Sequence, residues 1–177
     1  APADVFASAD QANMDKAVKL DLAAAEPKLF TANALTIAVP AGNPGGVNAF
    51  ADLAKPGLRL VTCAEEVPCG ALAAEAASQA GLELAPVSQE QNVKAVMAKL
   101  TSGEAEAGLV YATDVLAAGD AVQQIQLPAA AQVTTQYPVA VLRDAGQPAL
   151  GQAFVDYLLS TPAQAVLSDA GFASLAG

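Results

Sequence analysis

An α/β fold follows from two features of the sequence. Short β-branched or aromatic runs alternate with longer Ala- and Leu-rich stretches of helical periodicity, and glycines and prolines punctuate the joins. The alternation predicts a largely parallel sheet, with strands near residues 5–7, 35–39, 58–62, 108–111, 122–126 and 138–142. Asp10 can cap a first helix that runs to about Leu20. Pro68 fits the first turn of a helix reaching Ala80, with Gly81 as its stop. Ser88 is read as the cap of the next helix, which runs through Leu100 with Gly103 beyond; Val93, Val96, Met97 and Leu100 recur at i, i+3, i+4 and i+7, so one face is core. A short helix over 114–118 ends at Gly119. Two helices follow, over 148–159 and 162–170, the second opened by Ser160-Thr161-Pro162 with a capping hydroxyl and then proline at the first turn. Pro40-Ala41-Gly42-Asn43-Pro44-Gly45-Gly46 marks a turn-rich loop, and no Gly-Lys-Ser/Thr follows to make it a phosphate loop.

Composition narrows the function. The 177 residues are 54% hydrophobic and 15% charged, with 18 acidic against 8 basic side chains and no histidine or tryptophan. A chain of this length buries roughly 70% of its unfolded surface and needs no structural metal. A formal charge of −10 opposes binding to nucleic acid, whose affinity comes largely from Lys and Arg on phosphates. Without histidine there is no Ser-His or Cys-His nucleophile pair and no zinc site of the His-containing kinds. No stretch reaches the ~18 apolar residues of a membrane span.

The residues that could carry chemistry are few. Glu65-Glu66 is the one adjacent acidic pair near a plausible site, and it reads as a solvated loop. Asp4, Asp10 and Asp114 read as cap or turn residues rather than metal ligands. Cys63 and Cys69 lack CxxC spacing; they are either two small semi-buried thiols or a short-loop disulfide, which requires an oxidising compartment. Two helix starts, Pro68-Cys69-Gly70 and Gln91-Asn92-Val93, offer unpaired backbone N–H groups, which together with the helix dipole bind anions without cationic side chains.

Ala1-Pro2-Ala3-Asp4-Val5-Phe6-Ala7-Ser8-Ala9-Asp10 with Met14-Asp15 resembles the APAD-x-F-x-SAD-x-x-x-MD segment of molybdate-binding proteins, the extracytoplasmic receptors of ABC-type molybdate importers. The likeness continues through Ala51-Asp52-Leu53, Val67-Pro68-Cys69-Gly70, Asn92-Val93, residues 108–114, Tyr137-Pro138-Val139-Ala140-Val141 and Gly171-Phe172, covering the chain in order. The resemblance implies a two-lobed, type II periplasmic-binding-protein-like α/β fold with hinge strands. Residues 1–34 and 143–177 would form a remnant of lobe I, and residues 35–142 lobe II with the crossing strands. It implies no cofactor and no catalysis. The ligand would be molybdate or tungstate, held by hydroxyls and amides: the Cys69 amide, the Val93 amide and the Tyr111 hydroxyl. In an exported protein Cys63 and Cys69 would form a disulfide pinning the loop that presents the Cys69 amide. The partner would be an ABC permease, the receptor a monomer, and the location periplasm or cell surface, with a lipid anchor on a preceding segment as one arrangement.

In the family, a βαβα stretch with two serine ligands precedes the position of Ala1, so the first lobe is expected to be incomplete and the 177-residue chain alone is not expected to complete the anion site. An alternative is the ligand-sensing domain of a transcription regulator with the same two-lobed fold, which the SAD and VP-x-G segments disfavour.

Overall fold

The computed structural model describes residues 3–173; the ends of the expected lobe I segments, residues 1–2 and 174–177, lie outside the described residues. In chain order the elements are β1 (Val5–Ala7), α1 (Gln11–Lys19), β2 (Lys28–Pro40), β3 (Leu60–Cys63), α2 (Pro68–Gln79), β4 (Ser88–Glu90), α3 (Val93–Thr101), β5 (Ala107–Tyr111), α4 (Ala112–Ala118), β6 (Val122–Ile125), β7 (Thr134–Val141), α5 (Pro148–Leu158) and α6 (Thr161–Asp169). The chain divides into two units: unit 1 is Ala1–Asn33 with Thr135–Gly177, and unit 2 is Ala34–Thr134. The joins therefore fall inside β2 and β7. Residues 135–142 go with unit 1, not with the larger unit as expected, because Val139, Ala140 and Val141 pair with Ala7, Phe6 and Val5 of β1.

In unit 2, β3 pairs in parallel with β4 and β5, whereas β2 runs antiparallel to both β5 and β6. The sheet is mixed rather than largely parallel. The physical reason lies after β2: residues 41–59 contain only a 3-10 turn, Phe50–Ala54, and no crossover helix to bring the chain back as a parallel neighbour. Period-two alternation sends Leu35, Ile37, Val39, Leu60 and Leu109 into one core with Ala73, Ala76 and Ala77 of α2. Ala38, Val61, Cys63 and Val110 go into the other with Val96 and Leu100 of α3. Each fully buried Val or Leu contributes about 1.5–3 kcal/mol, so both faces of the sheet are committed to packing. At Gly108 a Cβ would lie 2.8 Å from Val96 Cγ1, which is how closely α3 sits on β5.

In unit 1, α1 lays Met14 and Ala17 against Phe6, Ala23 and Ala140. Tyr137 stacks at a tilt with Phe30 and edge-on with Phe172, at centroid distances of 6.3 and 5.6 Å. Ala32 and Ala173 form an antiparallel bridge, and Thr31 donates to the Ala173 carbonyl at 3.1 Å. Arg143 ties β7 to the α1–β2 connection through Asp21.

Several expectations need correction. β2 begins seven residues before 35, because the polar Thr31 and Asn33 that break the apolar run are buried in the strand rather than exposed in a loop. β7 starts at Thr134, ahead of the proline taken as its beginning. Ser88 is not a helix cap: it opens β4, and the side chain of Asn92 takes the cap instead, accepting from Ala95 N at 3.0 Å. Ser160 stands at the cap position of α6, but its hydroxyl donates back to the Tyr157 carbonyl at 2.6 Å. Asp10 caps α1 as expected, accepting from Asn13 N. Among the described residues no helix is long and apolar enough to cross a membrane.

The segment after β2 is organised by Asn43 and Asp52. Asn43 exchanges two side-chain bonds with the Val47 backbone, at 2.7 and 3.0 Å. Asp52 accepts from Asn48 N at 2.7 Å and Ala49 N at 3.0 Å and pairs with Lys55 at 2.9 Å. The Asn48 bond first, then Lys55 and Ala49, hold its carboxyl down at about 2, from 3.8. A carboxylate with a lowered folded pKa stabilises the fold above its unfolded value and loses that contribution as pH falls through the folded one. The stability gap between the parent and Asp52→Asn, read by urea unfolding, should therefore be widest near neutral pH and close as pH falls from about 4 to about 2.

Candidate functional site

The parallel trio β4–β3–β5 determines where a ligand can sit in unit 2. Strands β3, β4 and β5 each run into a helix, α2, α3 and α4, so three helix N-termini lie at the carboxyl edge of the same sheet. In open α/β sheets that edge is where ligands bind. What each helix start offers depends on how its first-turn donors are used, since four N–H groups begin each helix without an internal acceptor.

α2 has no side-chain cap. Pro68 has no N–H, and Gly70 N and Ala71 N both donate to the Val67 carbonyl at 3.0 Å. The Cys69 N–H is left with no acceptor among the described residues. At α3, Asn92 takes Ala95 N with its side chain and its carbonyl takes Val96 N at 3.5 Å, leaving the N–H groups of Val93 and Lys94. α4 has no side-chain cap on its first-turn amides; Asp114 instead accepts from the N–H of Tyr111, the residue before the helix, at 3.1 Å. Burial pushes the Asp114 carboxyl above its usual range, while the Tyr111 bond and then the charge of Lys94 pull against that shift. The third helix start therefore places Tyr111 directly ahead of it, with the Tyr111 backbone held by Asp114. Val93, Tyr111 and Cys69 all belong to the hydrophobic cluster on the α3 face of the sheet. Cys69 is buried and Val93 and Tyr111 half-buried.

The amide of Cys69 is held from two sides. A disulfide joins Cys69 to Cys63, with a Cα–Cα distance of 5.7 Å. For a loop this short, the chain-entropy contribution is only ~2 kcal/mol, so the bridge matters more for where it holds the backbone than for global stability. On the next residue, a Cβ on Gly70 would stand 1.9 Å from the Ala64 carbonyl oxygen and 2.8 Å from that of Cys63. Only glycine lets the helix start approach the strand end this closely. Ala64 N in turn donates to the Glu90 carbonyl at 2.8 Å, joining the end of β3 to the end of β4. Glu90 pairs with Lys99 of α3 at 2.6 Å, and Lys99 with the Ser88 hydroxyl assisting holds its carboxyl below the usual range.

Ala64, Glu90 and Lys99 were not singled out by sequence reasoning, and Gly70 was named only as part of a helix start, not as a point of close approach. The available signal was glycine in a helical first turn directly after Pro68 and Cys69, a poor helix former where a good one would be expected. Of the three acidic residues read as cap or turn residues, Asp10 caps α1, Asp4 accepts from Gln147 N at 2.9 Å just ahead of α5, and Asp114, inside the first turn of α4, accepts from Tyr111 N. Glu65 and Glu66 are exposed. A groove of roughly 290 Å3 beside α2 is lined by Cys63, Gly70, Ala73, Ala77 and the acidic residues Glu65 and Glu83, whose charges disfavour an anion there.

The same architecture occurs in solved structures. The chain superposes on the periplasmic molybdate-binding protein of Azotobacter vinelandii with a TM-score of 0.80, at 20% identity, over 97% of this chain and 78% of that one. It superposes on the sulfate-binding protein SubI of Mycobacterium tuberculosis with the same TM-score, at 19% identity, over 99% and 70%. The fold is thus that of the two-lobed α/β periplasmic binding proteins. Residues 1–173 match the bacterial extracellular solute-binding proteins, and the chain belongs to that family, whose members bind solutes rather than catalyse reactions. It is 42% identical over 173 residues to the molybdate-binding protein ModA of M. tuberculosis, covering 98% of this chain, and spans 66% of that relative's length. To the ModA of Escherichia coli it is 30% identical, covering 97% of this chain and 70% of the relative.

The geometry predicts that Gly70→Ala, which places a methyl against the Ala64 carbonyl, costs about 3 kcal/mol of stability. Denaturant unfolding checks this, and a variant as stable as the parent would show that the helix start can retreat.

Proposed function

We propose that this chain is the molybdate-capturing part of an extracytoplasmic receptor that also accepts tungstate and delivers its ligand to an ABC permease. In this reading the Cys69 amide, the Val93 amide and the Tyr111 hydroxyl donate to the oxyanion. The observation that carries it is the pair of open helix starts at one sheet edge, α2 and α3, in a protein whose relatives at 42% and 30% identity are molybdate-binding proteins. Neutral donors suit a fully deprotonated dianion, which can accept from all of them, whereas a protonated anion would turn one O–H against a donor. The excess of acid is compatible with this, because exposed charges beyond ~8 Å are largely screened at physiological salt. The fold alone does not choose the anion, since a sulfate-binding protein shares it. Function as a monomer, with or without a lipid anchor, belongs to the same proposal.

The test is thermal shift and calorimetric titration with molybdate, tungstate, sulfate and phosphate, on the 177-residue chain extended by the serine-bearing stretch that the resemblance implies. Molybdate and tungstate should stabilise the protein and sulfate and phosphate should not; no response to any oxyanion would overturn the reading. A hydrogen bond to a charged group contributes about 1.5–3 kcal/mol, so Tyr111→Phe should weaken molybdate binding roughly 10- to 100-fold. Unchanged affinity would remove Tyr111 from the site.

A further inference from the structure

We infer that the Cys63–Cys69 disulfide and the Glu90–Lys99 ion pair form one brace, which fixes the separation between the Cys69 and Val93 amides and so selects the anion by size. This rests on the reading that both amides bind the oxyanion. The connections run in a closed course. Cys69 is bonded to Cys63, and Cys63 sits opposite Glu90 in the parallel register of β3 and β4. The residue after Cys63 donates to the Glu90 carbonyl at 2.8 Å, and Gly70 lets α2 close on that same Ala64 peptide. From Glu90 the chain needs only Gln91 and Asn92 to reach Val93, and the Glu90 carboxylate reaches forward to Lys99 at 2.6 Å, with Lys99 also on the Ser88 hydroxyl at 2.8 Å. The start of α2 is thus tied by a bond outside its own helix to the end of β3, and α3 is tied through Lys99 of its last turn to the end of β4, from which only Gln91 and Asn92 lead to Val93.

The braces do not touch the ligand themselves. Cys63 is 1% and Cys69 5% exposed, so their sulfurs act only through the backbone they hold. Lys99 lies in the last turn of α3, at the far end from Val93. Donors held at a fixed spacing favour the anion that spans them. A smaller tetrahedral anion makes long hydrogen bonds to at least one donor, and a slack frame could close on it. Cys63, Cys69 and Lys99 are therefore positioning residues whose loss reduces discrimination rather than simply lowering affinity.

The experiment compares molybdate and sulfate affinities by calorimetry on the N-terminally extended chain, in the parent, in Cys63→Ala with Cys69→Ala, in Lys99→Met and in Lys99→Arg. Alanine at position 69 keeps the amide and adds no hydroxyl. The sulfate-to-molybdate Kd ratio should fall at least tenfold in the double variant and in Lys99→Met, and return to the parental value in Lys99→Arg. In the absence of ligand, amide exchange over residues 64–71 and 91–94 should quicken in the first two variants while β5 keeps its protection. Variants that hold the parental ratio, from a parent that binds molybdate selectively, overturn the brace alone. A parent that binds no oxyanion overturns the functional reading and the brace with it.

Discussion

Parallel pairing of β3 with β4 on one side and β5 on the other puts three strand carboxyl ends, and hence three helix starts, at one edge of unit 2. Everything proposed for the site depends on that register. It is paid for in hydrophobic burial: alternate residues of β2, β3 and β5 fill two separate cores, so a one-residue slip in any strand would exchange the two sets of side chains. The glycine at 108 and the glycine at 70 are two points where this packing leaves no room for a side chain, one under α3 and one at the start of α2. The first fixes the height of a helix over the sheet, and the second fixes how near a helix start comes to the strand that leads into it.

On this frame the proposed anion site needs no cationic ligands. Three helix starts do not make three equivalent sites, because their first-turn donors are used differently. α4 uses Asp114 to hold the N–H of Tyr111 ahead of its first turn, α3 uses Asn92 for part of its first turn, and α2 spends a proline where a donor would stand. The amides left over include those of Cys69 and Val93, the two that the family resemblance had independently selected. Backbone donors in the first turn carry the partial positive charge of the helix dipole and cannot rotate away. A protein of net charge −10 can therefore present a locally favourable surface to a dianion.

Much of this was legible in the sequence, for reasons that can be named. Pro68 locates the first turn of α2, and Gly81 and Gly103 mark the ends of α2 and α3, whereas the sequence places the cap of α3 at Ser88, four residues ahead of Asn92, although Gln91-Asn92-Val93 also reads as a helix start. Strand β4 was not legible: Ser88-Gln89-Glu90 is three polar residues, and only pairing with β3 makes it a strand. The first half of β2 was missed because Thr31 and Asn33 look like loop residues until their burial is known. Antiparallel pairing of β2 with β5 is a tertiary choice that alternation of elements cannot reveal. The contacts that hold the donors in place, Gly70 against Ala64 and Ala64 to Glu90, join segments whose proximity exists only after the sheet has formed.

The central claim is that two particular backbone amides meet the anion. Amide proton and nitrogen shifts, followed by two-dimensional NMR during a molybdate titration, test it residue by residue. The account predicts that the largest movements in unit 2 fall on the Cys69 and Val93 amides, both displaced downfield as their protons gain an acceptor. A titration that saturates while those two resonances stay in place, with the large shifts elsewhere in the unit, would contradict it.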